Sequence, residues 1–296
     1  TPDSPRTAKT PNSLFMLMGK SRYSGAIFAV DLASGKQLWV HRGKEIRNSL
    51  IVLNRDNLFF TENRGLPTPA MLPLRKKDAV VTFTSTVFSV VALEADTGKP
   101  VWEKEVDFAG CGRWDPAGPP ESAGYRELQA LCTDDVLVFA SAFHQHDKAK
   151  GDDLTRRILA LATQDGRLLW SQPSGNLNRP ILMQNALLAP PSFRDLKTGE
   201  IIQKRDPKSG KTVPWSLKMA GGGCGSLSAC DAMVFRRGGW HGVLDGINDT
   251  FSGLRAGCFI NIIPAGGIVV QPEASSGCTC SFAVQCTIAF RPETPN

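Results

Sequence analysis

ALEADTGKPVW at residues 92–102 decides the fold, because the chain contains nearly the same eleven residues three times. The other two copies are AVDLASGKQLW at 29–39 and ALATQDGRLLW at 160–170. The copies align on a glycine that is followed four residues later by a tryptophan: Gly35 and Trp39, Gly98 and Trp102, and Gly166 and Trp170. A ligand site is usually assembled once, whereas a repeated structural unit needs the same contact in every copy. We therefore interpret these six residues as structural.

Each copy is predicted to fold as strand, turn, strand. The apolar runs AIFAV, VFSVVAL and ILALA precede the glycines and are typical of strands. The glycine supplies the residue that can adopt a positive φ in the turn. A degenerate fourth copy, RDLKTGEIIQ at 194–203, keeps Asp195 and Gly199 but has Gln203 where tryptophan is expected.

Recurring strand clusters of this kind predict an all-β fold, a β-propeller with four-stranded blades. Blade repeats of about 40 residues bury their faces only by stacking on their neighbours. The spacing between copies is irregular, which indicates insertions. Five or six blade-sized units are visible, because the last segment is long enough for two: 14–46, 47–106, 126–174, 178–217 and 218–292.

The pattern A-x-D/E-x-x-T/S-G-K-x-x-W resembles the repeat of the pyrroloquinoline-quinone (PQQ)-like β-propellers, over roughly residues 14–215. The resemblance implies that Trp39, Trp102 and Trp170 dock between adjacent blades and that the glycine turn joins the two outer strands of a blade. It also implies about seven or eight blades. We therefore expect this chain to form part of such a propeller, with the remaining blades supplied by a removed segment or by another chain.

The ends of the chain differ from the repeat. Residues 1–13 are polar and proline-rich, and we interpret them as a linker or a processed N-terminus, followed by propeller blades over 14–217. Residues 218–296 are predicted to form the cysteine-rich closing blade or blades of the same propeller. The runs FSGLRAGC, INIIPAGGIVVQPE and SSGCTCSF resemble the closing segments of large secreted propeller proteins of the planctomycete type.

The cysteines predict disulfides and an oxidising compartment, since six of the eight lie in the last quarter of the chain. Spacing alone does not fix their pairing. Cys111 and Cys132 bracket a loop rich in glycine and proline and are the best local candidates for one bridge. The candidates for disulfides are Cys111, Cys132, Cys224, Cys230, Cys258, Cys278, Cys280 and Cys286.

Two short motifs could bind a metal ion. His144 and His146 share a face if the preceding strand continues, and Asp147 follows them, which would suit a transition metal or calcium. A solvent-exposed loop is the alternative. Cys278 and Cys280 could bind copper or zinc, or could form disulfides to a neighbouring strand.

Enzymatic chemistry finds little support in the motifs. PQQ-dependent dehydrogenases hold their quinone against a disulfide between adjacent cysteines, and no Cys-Cys pair occurs here. KSGKT at 208–212 lacks the upstream glycine of a phosphate-binding loop. We therefore expect no PQQ and no other cofactor, with calcium or a transition metal as the alternative.

Charge and hydropathy limit the classes of partner that the sequence predicts. The net charge of +6 is spread over 34 basic and 28 acidic side chains without a long basic run, so no nucleic-acid partner is expected. No apolar run reaches the length of about 18 residues that a membrane-spanning helix needs.

The sequence therefore predicts a non-catalytic binding or scaffold module that is periplasmic or secreted and has a protein partner. Insertions at 62–77, 111–132 and 143–153 are its candidate binding loops. Two alternatives remain open: an envelope oxidoreductase that uses a quinone or a metal, and the propeller part of a larger enzyme whose catalytic domain lies elsewhere.

Overall fold

A computed structural model describes a chain built from antiparallel sheets. The described residues are 23–63, 87–108, 111, 128–141, 157–174, 176, 179–206, 209–217, 227–236, 239–251, 262–272 and 286–291. Within this part of the chain, no helix has the length and apolar character needed to cross a membrane.

Seven sheets are formed by the described strands. The first pairs β1 (Tyr23–Val30) with β2 (Gln37–Arg47), and a 3-10 turn at Asn48–Leu50 follows it. The second contains β3 (Val52–Leu53), β4 (Asn57–Glu62), β5 (Val87–Glu94) and β6 (Pro100–Asp107), paired in that order. The third contains β7 (Leu128–Cys132), β8 (Val136–Ser141), β9 (Arg157–Ala162) and β10 (Leu168–Pro173), again in chain order.

The remaining sheets are smaller on average. The fourth contains β11 (Ile181–Met183), β12 (Ala186–Ala189) and β13 (Ser192–Asp195), and the fifth is a hairpin of β14 (Gln203–Arg205) and β15 (Thr212–Pro214). The sixth contains β16 (Ser228–Cys230), β17 (Met233–Arg236), β18 (Gly239–Gly242) and β19 (Asn248–Thr250). The seventh contains β20 (Ile263–Ala265), β21 (Ile268–Gln271) and β22 (Ile288–Phe290).

The chain divides into two compact units. Residues 1–139 with 159–169 form the first unit, and residues 140–158 with 170–296 form the second. In the first unit, β5 is buried on both faces because it lies between two apolar clusters. Val90 and Ala92 belong to one cluster, and Val91 and Leu93 belong to the other. A strand buried on both faces is what stacked sheets require, and it explains the continuous apolar run of VFSVVAL.

Two apolar clusters lie among the described residues of the second unit. One includes Leu188 and Phe193 from the fourth sheet and Val234 from the sixth. The other is centred on Phe235 and Ile262. The three predicted strands are confirmed, since AIFAV lies in β1, VFSVVAL in β5 and ILALA in β9.

Candidate functional site

Six turns in the described chain share one backbone geometry. In each, a glycine N–H donates to the carbonyl four residues earlier, and that earlier residue donates its own N–H to the carbonyl just after the glycine. The glycine φ values lie between +67° and +76°, a region that favours glycine over residues with a β-carbon. The six glycines are Gly35, Gly98, Gly166, Gly199, Gly210 and Gly246.

Three of these turns are covered by a tryptophan from the preceding sheet. The indole of Trp39, on β2, donates Nε1–H to the carbonyl of Ala95 at 2.9 Å. Its ring lies against Gly98 so closely that a β-carbon there would stand 2.6 Å from Trp39 Cδ2. In this arrangement the indole N–H donates to the carbonyl three residues before the turn glycine, and the ring lies on that glycine. We call it the tryptophan latch.

The same latch recurs twice further along the chain. Trp102 donates to the Thr163 carbonyl at 2.7 Å, and its ring lies against Gly166. Trp170 donates to the Leu196 carbonyl at 2.8 Å, and its ring covers Gly199, where an added β-carbon would stand 2.5 Å from Cδ2. Because a β-carbon would clash and would also be strained at positive φ, only glycine suits the covered position.

The series of latches ends at the degenerate fourth copy, which lacks the tryptophan. Gln203 takes the position of the tryptophan and is exposed. The segment interpreted as a phosphate-loop lookalike is another turn of the same kind, in which Ser209 donates its backbone N–H to Asp206 Oδ1. Here the tryptophan comes one residue later than in the copies before it, and Trp215 stacks on Phe193 with ring centroids 4.1 Å apart.

A polar pair lies between β2 and β4 and was not assigned from the sequence. His41 Nε2 lies 3.2 Å from Glu62 Oε2, and the Glu62 side chain is fully buried. Beside it, Asn63 donates Nδ2–H to Glu45 Oε2 at 2.8 Å. His41 and Glu62 are far apart in sequence, so only the packing of the first sheet beside the second brings them together. The pair lies where the predicted 62–77 loop begins.

A half-open cleft lies between the sixth and seventh sheets. It encloses about 340 Å³ and is lined mainly by apolar groups, including Trp240 and Phe251. The Phe251 and Phe290 rings stack with centroids 4.4 Å apart. Arg291 and Asp231 supply charge at its lining. Its chemistry suits an apolar or aromatic group, and no sequence motif marked it.

The structure describes four of the eight cysteines. It shows no disulfide at Cys111, Cys132, Cys230 or Cys286, and the disulfide predictions stay predictions. Cys111 and Cys132 pack on the same apolar cluster, and the Cys132 thiol is turned to the carbonyl of its neighbour Thr133 at 3.0 Å. Cys224, Cys258, Cys278 and Cys280 lie outside the described residues.

The predicted metal site lies outside the described residues as well. His144, His146 and Asp147 belong to the stretch 142–156, of which the structure describes nothing, and the loop 143–153 shares this position. Among the residues that are described, no three His, Cys, Asp or Glu side chains come together as a metal would require. The metal and cofactor predictions therefore stay predictions.

A family model matches most of the chain. It is the PQQ_2 model, described as outer membrane protein assembly factor BamB, and it covers residues 23–222. The chain belongs to this family. The PQQ-like propeller resemblance inferred from the repeats is confirmed, and the match spans all three tryptophan latches.

Three of the solved structures that the chain is similar to have low sequence identity and low TM-scores. BamB from Moraxella catarrhalis is 12% identical, with 91% of this chain and 65% of that chain covered and a TM-score of 0.48. TolB from Acinetobacter baumannii is 11% identical, with 88% and 56% covered and a TM-score of 0.37. A quinohemoprotein alcohol dehydrogenase from Pseudomonas putida HK5 is 15% identical, with 84% and 41% covered and a TM-score of 0.32. The chain thus spans less than two thirds of each of these proteins.

No curated protein matches the sequence. The BamB-type family and the antiparallel sheets together confirm the predicted fold class, an all-β propeller fold with four-stranded sheets. The number of blades stays a prediction.

Proposed function

We propose that this chain is a non-catalytic β-propeller module that binds or organises other proteins in the cell envelope, in the periplasm or outside the cell. The observation that carries the proposal is the family match, since the matching model is described as an outer membrane protein assembly factor. A scaffold of this kind works through protein partners and needs no bound cofactor.

The latched sheets support this role. A propeller module presents loops from a rigid frame, and binding residues concentrate on such loops. In the first unit, each latch joins one sheet to the turn of the next through both a hydrogen bond and a ring contact. The insertions at 62–77, 111–132 and 143–153 interrupt the repeat and are the loops that we assign to partner binding.

Affinity purification from the native host tests the proposal. A tagged chain is cross-linked in intact cells and purified from the envelope fraction, and the mass of the native complex is measured. A variant in which residues 143–153 are replaced by a short glycine-serine linker is compared with Leu244→Ser, which changes an exposed residue in a turn. We expect a stoichiometric protein partner, and a loss of about tenfold in its yield with the linker variant, which corresponds to about 1.4 kcal/mol of binding.

Other outcomes contradict the proposal. A chain that purifies alone, absorbs light as a bound quinone does and oxidises alcohols would be an oxidoreductase. Equal partner yields from the linker variant, the Leu244→Ser variant and the wild type would remove the 143–153 loop from the binding surface.

A further inference from the structure

We propose that the cleft between the sixth and seventh sheets is a binding site for a small aromatic molecule that carries one negative charge. The site goes beyond the proposed scaffold role and does not depend on it. The inference rests on the volume of the cleft, on the aromatic rings that line it and on the charged side chains of its lining.

Hydrogen bonds hold the walls of the cleft in place. The Ser228 hydroxyl, on β16, donates to the carbonyl of Ile262, the residue just before β20. Gln184, in the turn between β11 and β12, donates its Nε2–H to the carbonyl of Asp231 at 3.0 Å. Asp231 lies in the turn between β16 and β17 and lines the cleft. The two sheets are thus tied to each other, and the cleft is formed before a ligand binds.

The aromatic lining suits a flat apolar group. Phe251 and Phe290 stack at an interplanar angle of 13°, and Trp240 packs with Phe251 on the apolar cluster of Phe235. Aromatic rings of this kind bind a further ring by stacked or edge-to-face contacts. A cavity of about 150 Å³ lined by apolar side chains takes up one benzene ring. The cleft, at about 340 Å³, therefore has room for about two fused rings.

A glycine turn keeps the cleft accessible. Gly266 and Gly267 join β20 to β21, line the cleft and have φ values of +59° and +77°. A β-carbon added to either would meet nothing of the described chain within 4 Å. Ile268, the next residue of the lining, is 41% exposed. A ligand can therefore reach the aromatic rings from solvent beside this turn.

The charged side chains of the lining favour an anion. Arg291 and Asp231 both line the cleft and are exposed. The Asp231 carboxylate has the Cys230 thiol beside it, with Sγ 3.8 Å from Oδ2. Within the described residues, no acidic side chain forms an ion pair with Arg291. Because a guanidinium binds a carboxylate through two parallel N–H···O bonds, we assign the charged end of the ligand to Arg291.

Titration of the full chain with a matched pair of probes tests the site. The probes are 2-naphthoate and 2-naphthylmethylammonium, which carry the same fused rings and opposite charges. Isothermal titration calorimetry measures the affinity and the stoichiometry of each. We expect one molecule of 2-naphthoate to bind per chain with a dissociation constant of about 0.1 mM or lower, and the ammonium probe to bind at least about tenfold more weakly.

Substitutions at exposed positions locate the bound probe. Ile268→Trp places a large ring in the cleft, and Ile263→Trp is its control, because Ile263 on β20 is 49% exposed and is not part of the lining. The first should weaken 2-naphthoate binding by about tenfold or more, and the second should leave it unchanged. Arg291→Gln should abolish the preference for the anion, whereas Arg205→Gln, at an exposed arginine of β14, should keep it. Urea unfolding checks that each variant is folded.

The site is overturned if 2-naphthoate does not bind, if many molecules bind without saturation, or if the ammonium probe binds as tightly as the anion. It is also overturned if the two tryptophan variants bind 2-naphthoate equally, or if Arg291→Gln keeps the preference for the anion. None of these outcomes affects the proposed scaffold role, which the purification of a protein partner tests separately.

Discussion

Gly199 and Gly246 stand in turns of the same shape, yet one is buried under a tryptophan and the other lies open. Their φ values are +76° and +74°, and both turns carry the same pair of backbone hydrogen bonds. Trp170 covers Gly199, whereas nothing lies within 4 Å of a β-carbon at Gly246. The turn is therefore a local structure that forms without the latch, and the tryptophan converts it into a joint between sheets.

The difference between a covered and an open turn also distinguishes sheets two to four from the sixth sheet. The turns of sheets two to four are each covered by a latch. The sixth sheet comes after Gln203, which stands in place of the tryptophan, and after the β14–β15 hairpin. No latch covers its turn at Gly246. The sixth sheet accordingly exposes Leu244 and Ile247 around its turn, 69% and 56% exposed. Stability should therefore depend on the tryptophans in the first region, and substitutions at the second turn should be tolerated better.

Truncation of a latch tryptophan should have the largest effect. Trp102→Ala removes the hydrogen bond to the Thr163 carbonyl and the ring contact with Phe59, whose centroid lies 5.8 Å away. We expect the free energy of unfolding to fall by about 3–5 kcal/mol, measured by urea denaturation. Trp102→Phe is the control, since it keeps an aromatic ring and loses the N–H donor, and it should cost about 1–2 kcal/mol. A loss of less than about 1 kcal/mol for Trp102→Ala would show that the latch does not stabilise the sheets.

Replacement of the covered glycine, Gly199, by alanine should have the next largest effect, with the open glycine, Gly246, as the comparison. Gly199→Ala adds backbone strain and a clash with the Trp170 ring, and we expect it to lower the free energy of unfolding by about 2–4 kcal/mol. Gly246→Ala adds strain alone and should cost about 1 kcal/mol. Thermal and urea unfolding of the two variants measure the difference directly, and equal losses would mean that the ring contact at Gly199 adds nothing.

The local parts of this architecture could be predicted from the sequence. The positive φ at Gly98 and Gly166 follows from a turn motif, and the strands before them follow from apolar runs, because both depend on near neighbours. The degenerate copy at Asp195 and Gly199 was recognised for the same reason. The turn at Gly210 was missed, since its tryptophan comes one residue later than the repeat predicts.

Contacts between distant segments could not be predicted in this way. The carbonyls of Ala95, Thr163 and Leu196 carry no sequence signal, because any residue supplies a backbone oxygen. The His41–Glu62 pair likewise depends on how β2 packs beside β4. The pairing of the cysteines could not be predicted either, because spacing constrains how far apart two thiols lie and leaves their orientation free.

The smallest effect is expected from the ionisation of a thiol, which differs between Cys132 in the latched region and Cys230 in the sixth sheet. Burial, together with the Asp134 charge, raises the pKa of the Cys132 thiol to about 12, whereas Cys230 on the sixth sheet is exposed. In the unfolded chain a thiol ionises near pH 8.5, so above about that pH the unfolded state loses a proton that the native state keeps. The contribution of the protonated Cys132 thiol to the free energy of unfolding is fully present below about pH 8.5 and is lost as the pH rises towards 12. The free energy of unfolding should therefore fall with increasing pH.

Urea unfolding at about pH 8 and about pH 10.5 measures this fall, with Cys132→Val as the control because valine fills a similar volume and does not titrate. The decline should be smaller in the control, and alkylation at about pH 8 should label Cys230 well before Cys132. If the wild type and the control lost stability equally, ionisation of Cys132 would contribute nothing to the pH dependence. The half-buried thiol of Cys132 would then differ from the exposed thiol of Cys230 in access alone, and the contrast between the two regions would rest on packing.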